Sequence, residues 1–547
     1  MKKKMMNKKP IICLLIIIIG ISLQSKSQSI EVSGIISENT NWEADTIKIV
    51  GDISIENEVL LTISPGVYIE AQGYYKIDVG GQIKAIGRPN DTITFTVKDT
   101  TGFWLDTLSL AGGWPGIYIV GQIGSNDSSI FQYCKIQYGK NYDEYGGDIN
   151  GGALYVYNHG FLRINHCLFN NNMVICYDYG VDGPFGGAVY CENVNKVVID
   201  SNSFIRNRSF DFSGAIRIDD NCISTKITNN TFIYNAGFHW TELPPPWYSG
   251  VGGGGAAIST SDLVYSPEIS NNYCFNNKGL NGIIYTSNLH ARVFNNIICN
   301  NWGSGIADGH QLSTSKIFNN TIVNNKTWYG GILIWSKAEV YNNICWNNVF
   351  YPGVEVDQIY IDEANPTLKY NCVQYGDGGP GAVFNEPEFV EPTDGLGTGF
   401  DGASADWSLQ NWSPCVNAGT PDTSFLTIPE YDILGNIRIF GNRIDMGAYE
   451  NQEVWTSSNE IAFLEEGISV FPNPATTAIT IKINTPCNQE YLTVLISDAL
   501  GKEIFKKQIK CQEQLLQINV TNWKSGLYLV GVFSPNGIVS RTKLVVK

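Results

Sequence analysis

The chain has 547 residues and a formal net charge of −16, with 16% charged and 12% aromatic residues and 56 glycines. It is too aromatic and too sparsely charged for a disordered chain. Its acidity argues against nucleic acid and anionic membrane surfaces as partners.

The first element is an export signal. Lys2, Lys3, Lys4, Lys8 and Lys9 precede an apolar run from Ile11 to Leu23, and Ser25-Lys26-Ser27 follows. The run is short for a stable span, and the order charged, apolar, small-x-small is that of a signal peptide over residues 1–27. Its removal takes six lysines and no acids, leaving 30 basic against 52 acidic side chains. No other segment is long and apolar enough to span a bilayer, so the mature chain is expected to have no transmembrane span.

Residues 28–135 contain β-favouring runs such as Leu61 to Ile69 and Ile93 to Thr96. From residue 136 a repeat takes over. Asn pairs begin at Asn271, Asn295, Asn319 and Asn342, each followed five residues later by a second pair, with steps of 24, 24 and 23 residues. Gly-Gly-Ala stands at 151–153, 186–188 and 254–256, Gly-Ala at 214–215 and Gly-Gly-Ile at 330–332. A period near 23 made of short apolar runs with Asn and Gly corners predicts a coil of three strands. Strands stacked about 4.8 Å apart would let corner asparagines pass amide hydrogen bonds from rung to rung. Cys167, Cys274, Cys299 and Cys345 follow Asn corners and read as small apolar residues of the interior. No CxxC occurs, so no zinc or redox cluster is expected.

On these repeats the chain resembles the right-handed parallel β-helix superfamily, the pectate-lyase-like solenoids. The resemblance implies an all-β solenoid over residues 28–450, divided into N-terminal coils 28–135, Asn-ladder coils 136–375 and a terminal segment 376–450. That last segment carries Ser413-Pro-Cys-Val-Asn-Ala-Gly and Asp445-Met-Gly-Ala-Tyr-Glu. After a polar linker, 451–467, the composition changes. Val470-Phe-Pro-Asn-Pro-Ala, Ile496-Ser-Asp-Ala-Leu-Gly-Lys and Trp523-Lys-Ser-Gly-Leu-Tyr-Leu appear in order over 468–547. Alternating runs predict a small antiparallel β-sandwich there. The ordered motifs resemble the C-terminal sorting domain of type IX secretion substrates, which implies the outer-membrane secretion machinery as partner and a secreted or surface-attached product. Cys487 and Cys511 either pair across this domain or stay free.

Chemistry is expected where insertions gather on one side of the coils, before the glycine corners of residues 139 to 254. Leu154, Val189, Ile216 and Ile258 should point inward by strand alternation. Tyr155, Tyr157, Tyr190, Glu192, Arg217 and Asp219 should point outward, with Asp308 and His310 at matching outward positions lower down. Trp240 and Trp247 lie in the longest insertion. Aromatic rings and carboxylates together suit a polysaccharide. For a lyase, Arg217 is the candidate base, with Glu192 and Asp219 near a Ca²⁺. For a glycosidase, Glu192 pairs with Asp219 or Asp220. The bland alternative is an outward salt-bridged ladder without catalysis, on an adhesin-type surface protein. Polygalacturonase-like motifs are matched only by Asp219-Asp220. His310 does not stand between glycines and Arg-Ile-Lys is absent. The fold is therefore more legible than the reaction.

Overall fold

The computed structural model describes residues 28–547 apart from 106–108, 123, 125–126, 144–148, 177–183, 210–212, 238–253, 280, 454–467, 484–490, 499–501, 511–514 and 535–536. The expected signal peptide, most of the expected linker, Trp240, Trp247, Cys487 and Cys511 lie outside the described residues. The chain divides into two compact units between Gln452 and Glu453.

The first unit is a right-handed parallel β-helix, and among the described residues 33 of its strands form one continuous hydrogen-bonded system. Three faces repeat. Face A follows the glycine corner and includes Ile117–Val120, Ile216–Ile218, Ile258–Thr260 and Ile284–Thr286. Face B precedes the first Asn pair, as in Ser224–Thr228 and Arg292–Phe294. Face C follows that pair, as in Thr231–Ile233 and Ile297–Cys299. The long strands Leu154–Asn165 and Val189–Asp200 serve faces A and B, turning at Asn158 and Asn193, both at positive φ. A fourth run of two to four residues, unmarked by any periodicity, lies between the second Asn corner and the glycine corner. Its strands are Lys140–Asp143, Met173–Cys176, Arg208–Ser209, Ala236–Gly237 and Lys278–Gly279.

Strand alternation fills the interior. Ile117, Leu154, Val189, Ile216, Ile258, Ile284 and Ile306 stack in register at the start of face A, all fully buried. On face C, Phe169, Phe204 and Phe232 stack with ring centroids 4.9 and 5.0 Å apart. Each such side chain contributes about 2 kcal/mol by burial.

The two asparagines of each pair do different work. The first adopts positive φ, near 55° at Asn271, Asn295, Asn319 and Asn342, a conformation that asparagine tolerates better than most residues. The second is buried and forms a ladder. Asn202, Asn230, Asn272, Asn296, Asn320 and Asn343 each donate Nδ2 to the next Oδ1 at 2.9–3.1 Å, and the ladder ends on Asn371. A second ladder runs Asn172, Asn207, Asn235, Asn277, Asn301, Asn325, Asn348 and ends on Gln358. Each amide also donates to a backbone carbonyl of the preceding coil, as Asn230 does to Ile199 at 2.9 Å. Cys167 occupies a ladder position, accepting from the Cys134 amide at 3.3 Å. Cys274 and Cys345 are interior as expected. Cys299 is buried on the other side of the wall, where its thiol meets the Gly402 carbonyl at 3.6 Å.

That outer side of face C is covered by the terminal segment. Trp407, Leu409, Cys415, Met446, Ala448 and Tyr449 pack on Phe275, Ile297, Cys299, Val323 and Ile344. This covering explains why Ile297-Ile298-Cys299 is apolar at every position, since the strand is buried on both faces. Corner asparagines hold the segment: Asn276 donates to the Phe400 carbonyl at 2.6 Å, Asn300 to Gly395 at 2.9 Å and Asn319 to Asp445 at 3.0 Å. Inside the segment Arg438 and Glu450 are both buried, their charged atoms 3.7 Å apart, with Asp445 and Asp432 close by.

The expectation for Asp308 is corrected. In the strand Ile306–Asp308, Asp308 is paired with Thr286 and Ile334, which puts it in the inward column. It is fully buried, accepting from Thr286 at 3.0 Å, Ser313 at 3.3 Å and Ser336. The interior is locally polar there, and burial raises the Asp308 carboxyl above its ordinary range despite those hydrogen bonds.

The second unit holds two antiparallel sheets. One comprises Ile468–Phe471, Ala478–Ile483 and Leu515–Asn519. The other comprises Glu503–Lys510, Tyr491–Asp498, Gly526–Ser534 and Gly537–Val546. Ile479, Ile481, Val494, Ile496, Val530 and Val532 form their common core.

Candidate functional site

Face A presents the second residue of each strand outward. Reading along the solenoid, the register gives Asp78, Tyr118, Tyr155, Tyr190, Arg217, Ser259 and Tyr285. The parallel row two residues on gives Val120, Tyr157 and Glu192. Asp219 joins Glu192 because its amide donates to the Cys191 carbonyl at 2.6 Å.

The tyrosines stack on one another. Tyr118 and Tyr155 lie 5.5 Å apart at 39°, and Tyr155 and Tyr190 lie 5.4 Å apart at 2°. Ring faces are spent along the solenoid axis, so the stack turns ring edges and hydroxyls outward. This differs from a platform of aromatic faces. The row is suited to hydrogen bonding along a polar chain.

Tyr190 is the centre of a charged network. Only 4% exposed, it donates its hydroxyl to Glu192 Oε2 at 2.8 Å and lies 3.2 Å from Asp219 Oδ2. Burial and the two carboxylates push its ionisation far above the ordinary tyrosine value, so it keeps its proton. Arg217 grips Asp219 through Nε at 3.3 Å and Nη2 at 3.2 Å, and gives Nη1 to Ser259 at 3.2 Å. Phe185, from the insertion before the glycine corner, lies 5.0 Å from the guanidinium carbon. Burial works to raise the Asp219 carboxyl, but the charge and hydrogen bonds of Arg217, with hydrogen bonds from Ser261 and Tyr190, outweigh it and hold Asp219 below the usual carboxylate range. Asp219 is therefore an anion near neutral pH.

Of the expected residues, the fold brings Tyr155, Tyr157, Tyr190, Glu192, Arg217 and Asp219 into one patch. Asp220 turns toward the next coil, where Ser261 donates to it at 2.6 Å. His310 sits farther down, 4.0 Å from Asp262. Tyr118, Ser259 and Tyr285 went unnoticed in the sequence, although strand alternation from Ile117, Ile258 and Ile284 marks each of them. At the Tyr118 end a cavity of about 530 Å³ is lined by Ser54, Glu56, Asn57, Asp78, Tyr118 and Val120, which extends the same strip.

A Ca²⁺ does not fit this donor set. Among the described residues no group of three or more His, Cys, Asp or Glu side chains is placed to hold a metal ion. A cation between Glu192 and Asp219 would compete with the Tyr190 hydroxyl and with Arg217.

Comparison with known proteins locates the tail. Residues 469–547 match the family model of the secretion system C-terminal sorting domain. An endo-acting ulvan lyase of Formosa agariphila is 37% identical over 92 residues, 17% of this chain and 17% of that enzyme. The chain thus matches about a sixth of the length of that curated relative, a stretch no longer than the C-terminal unit, Glu453–Lys547. The protein is a right-handed parallel β-helix that carries a type IX secretion sorting domain, and it is secreted or held at the cell surface.

Proposed function

We propose that the protein engages a polysaccharide along face A, with Glu192 and Asp219 as the carboxylates that act on a glycosidic bond. The observation that carries this reading is the placement of both carboxylates within hydrogen-bond reach of the one Tyr190 hydroxyl. Such closeness suits the pair of acids that a retaining glycosidase needs, about 5 Å apart. Arg217 keeps Asp219 ionised, and Glu192 exchanges the proton. The Arg217 guanidinium is committed to Asp219 and Ser259, so Arg217 is a positioning residue here and not the base of a lyase. The hydroxyl row from Tyr118 to Tyr157 would follow the chain on one side of the cleavage point. The shared segment with an ulvan lyase is compatible with polysaccharide as the substrate class, but the reading rests on face A.

A second reading, a non-catalytic surface protein, is favoured by the completeness of the Arg217–Asp219–Tyr190 bonding, which also serves as a strut between coils. The two readings separate in one assay. The purified protein is incubated with uronate and neutral polysaccharides, with and without Ca²⁺, and new reducing ends and retention on each polymer are measured. Product formation supports the first reading. Neither product nor retention across the panel would eliminate it.

A further inference from the structure

Away from face A, the column that continues the short fourth strand carries a second set of side chains in register. Lys278 pairs with Trp302, and Trp302 with Lys326, across three successive coils. The last coil step is 23 residues, so the next member of the column is Val349, and Phe350 follows it. The Lys278 ammonium lies 5.7 Å from the Trp302 ring centre, and the Lys326 ammonium lies 4.9 Å from that of Phe350. Trp328 stacks on Phe350 at 3.6 Å and is half exposed. Cation and aromatic ring thus alternate at one rung per coil, about 4.8 Å apart.

The strip has a wall. Leu396, Gly397, Thr398 and Gly399 of the terminal segment stand opposite Lys278, Trp302 and Lys326, enclosing a groove of about 330 Å³. Three corner asparagines of three successive coils fasten that wall: Asn276 to Phe400, Asn300 to Gly395, and Asn324 to Thr393 Oγ1 at 2.9 Å. The Gly397 amide adds a bond to the Asn324 carbonyl at 2.7 Å. Gly397 has φ +74, and a Cβ there would press on Lys326 at 3.0 Å, so a side chain would both strain the turn and narrow the groove. Among the described residues, neither Lys278 nor Lys326 has a carboxylate within 4 Å, in a chain with far more acidic than basic residues.

The geometry points to a binding subsite for an acidic glycan in the Lys278–Trp302–Lys326 groove, separate from the face A network. The two ammonium groups receive successive sulfate or carboxylate groups, and the Trp302 ring takes the apolar face of the sugar between them. The subsite adds polymer retention that does not depend on the chemistry of face A. It stands whether or not Glu192 and Asp219 are catalytic.

The test is affinity electrophoresis of the full secreted protein through gels containing dextran sulfate, polygalacturonate, unmodified dextran or single-stranded DNA. The wild type should be retarded by one or both acidic glycans and not by dextran. The arm that retards it tells sulfate from carboxylate. The double variant Lys278→Gln/Lys326→Gln and the single variant Trp302→Ala should each lose about tenfold in affinity, the former with loss of its salt dependence. Lys226→Gln, on face B and outside both sites, should bind as the wild type does, which ties the effect to the groove rather than to positive charge at large. The inference is overturned if the lysine variant, folded by circular dichroism, is retarded as strongly as the wild type. It is also overturned if dextran retards as well as the acidic glycans, or if single-stranded DNA alone does so.

Discussion

Between Asn172 and Asn277 the second asparagine ladder advances by 35, 28 and 42 residues per coil, while from Asn277 to Asn348 it advances by 24, 24 and 23. The amide bonds do not register the difference. They are 2.9, 2.9 and 3.0 Å in the long coils and 3.1, 2.9 and 2.8 Å in the short ones. The ladder therefore fixes the rungs, and extra residues leave the coil between the second Asn corner and the glycine corner without shifting a strand. The long coils hold the Tyr190–Glu192–Arg217–Asp219 network, and the short coils hold the terminal segment and the Lys278–Trp302 strip. One backbone design thus provides a variable face and a regular face.

The largest expected effect breaks the ladder in each region. Asn320→Ala removes bonds to Asn343, Val293 and Phe318 and strands the Asn296 donors. A loss of about 3 kcal/mol or more follows from buried groups left unpaired. Asn207→Ala in a long coil should cost the same within about 1 kcal/mol. Urea unfolding followed at a β-sheet signal measures both. A much smaller loss in the long coils would show that the insertions, and not the ladder, hold those rungs.

These asparagines were the most readable part of the sequence, because two separate demands, positive φ and a buried amide, select the same residue type at a fixed phase. The short strands such as Arg208–Ser209 were not readable, since two residues carry no alternation. Asp308 lies inward because alternation from Ile306 puts the first and third residues of that strand on the same face. In a three-residue strand, a slip of one position moves a residue to the other face. For the site, alternation reached Tyr155, Tyr190, Glu192 and Arg217. It could not reveal that the rings stack face to face, which depends on strand spacing, nor that Asp220 bonds to Ser261 across the turn. The double-sided burial of face C was present as the run Ile297-Ile298-Cys299, but its partner lies about a hundred residues downstream.

The next effect belongs to the variable face alone. Arg217→Gln leaves the largely covered Asp219 without its counter-charge, and a destabilisation of about 2 kcal/mol is expected. The Asp219 carboxyl should rise toward or above its ordinary value, which carbon-detected NMR titration of the carboxyl reads directly. An unmoved Asp219 titration would mean that Ser261 and Tyr190, not Arg217, hold the anion.

A pH effect belongs to the regular face. Burial and the neighbouring Asp445 push the Glu450 carboxyl up to about 8, with Arg438 opposing. Burial pushes Asp445 up to about 6. Folded values above the unfolded ones stabilise the fold fully at low pH, and that stability is lost as pH rises through the folded values. His159 works in the opposite direction: burial lowers it to about 4, so its contribution is lost as pH falls toward that value. Thermal stability should therefore peak at mildly acidic pH and fall toward about pH 9 as Glu450 ionises. Glu450→Gln should flatten the alkaline limb and leave the acidic one. An unchanged alkaline limb would assign that fall to another group.

The smallest effect is at a corner. Asn295→Ala keeps the ladder but places alanine at φ 54, at a cost of about 1 kcal/mol. Asn295→Gly should cost less, and equal losses for the two variants would assign the cost to the lost side chain rather than to the backbone.

The most direct test of the central claim compares wild type, Glu192→Gln and Tyr155→Phe on whichever polysaccharide the wild type degrades best. Initial rates of reducing-end release should fall by about a hundredfold or more for Glu192→Gln, in line with loss of a general acid. Tyr155→Phe, which removes one hydroxyl of the row, should raise KM and leave kcat nearly unchanged. A Glu192→Gln protein that cleaves at the wild-type rate would contradict the assignment of face A as the place where the chain acts on polysaccharide.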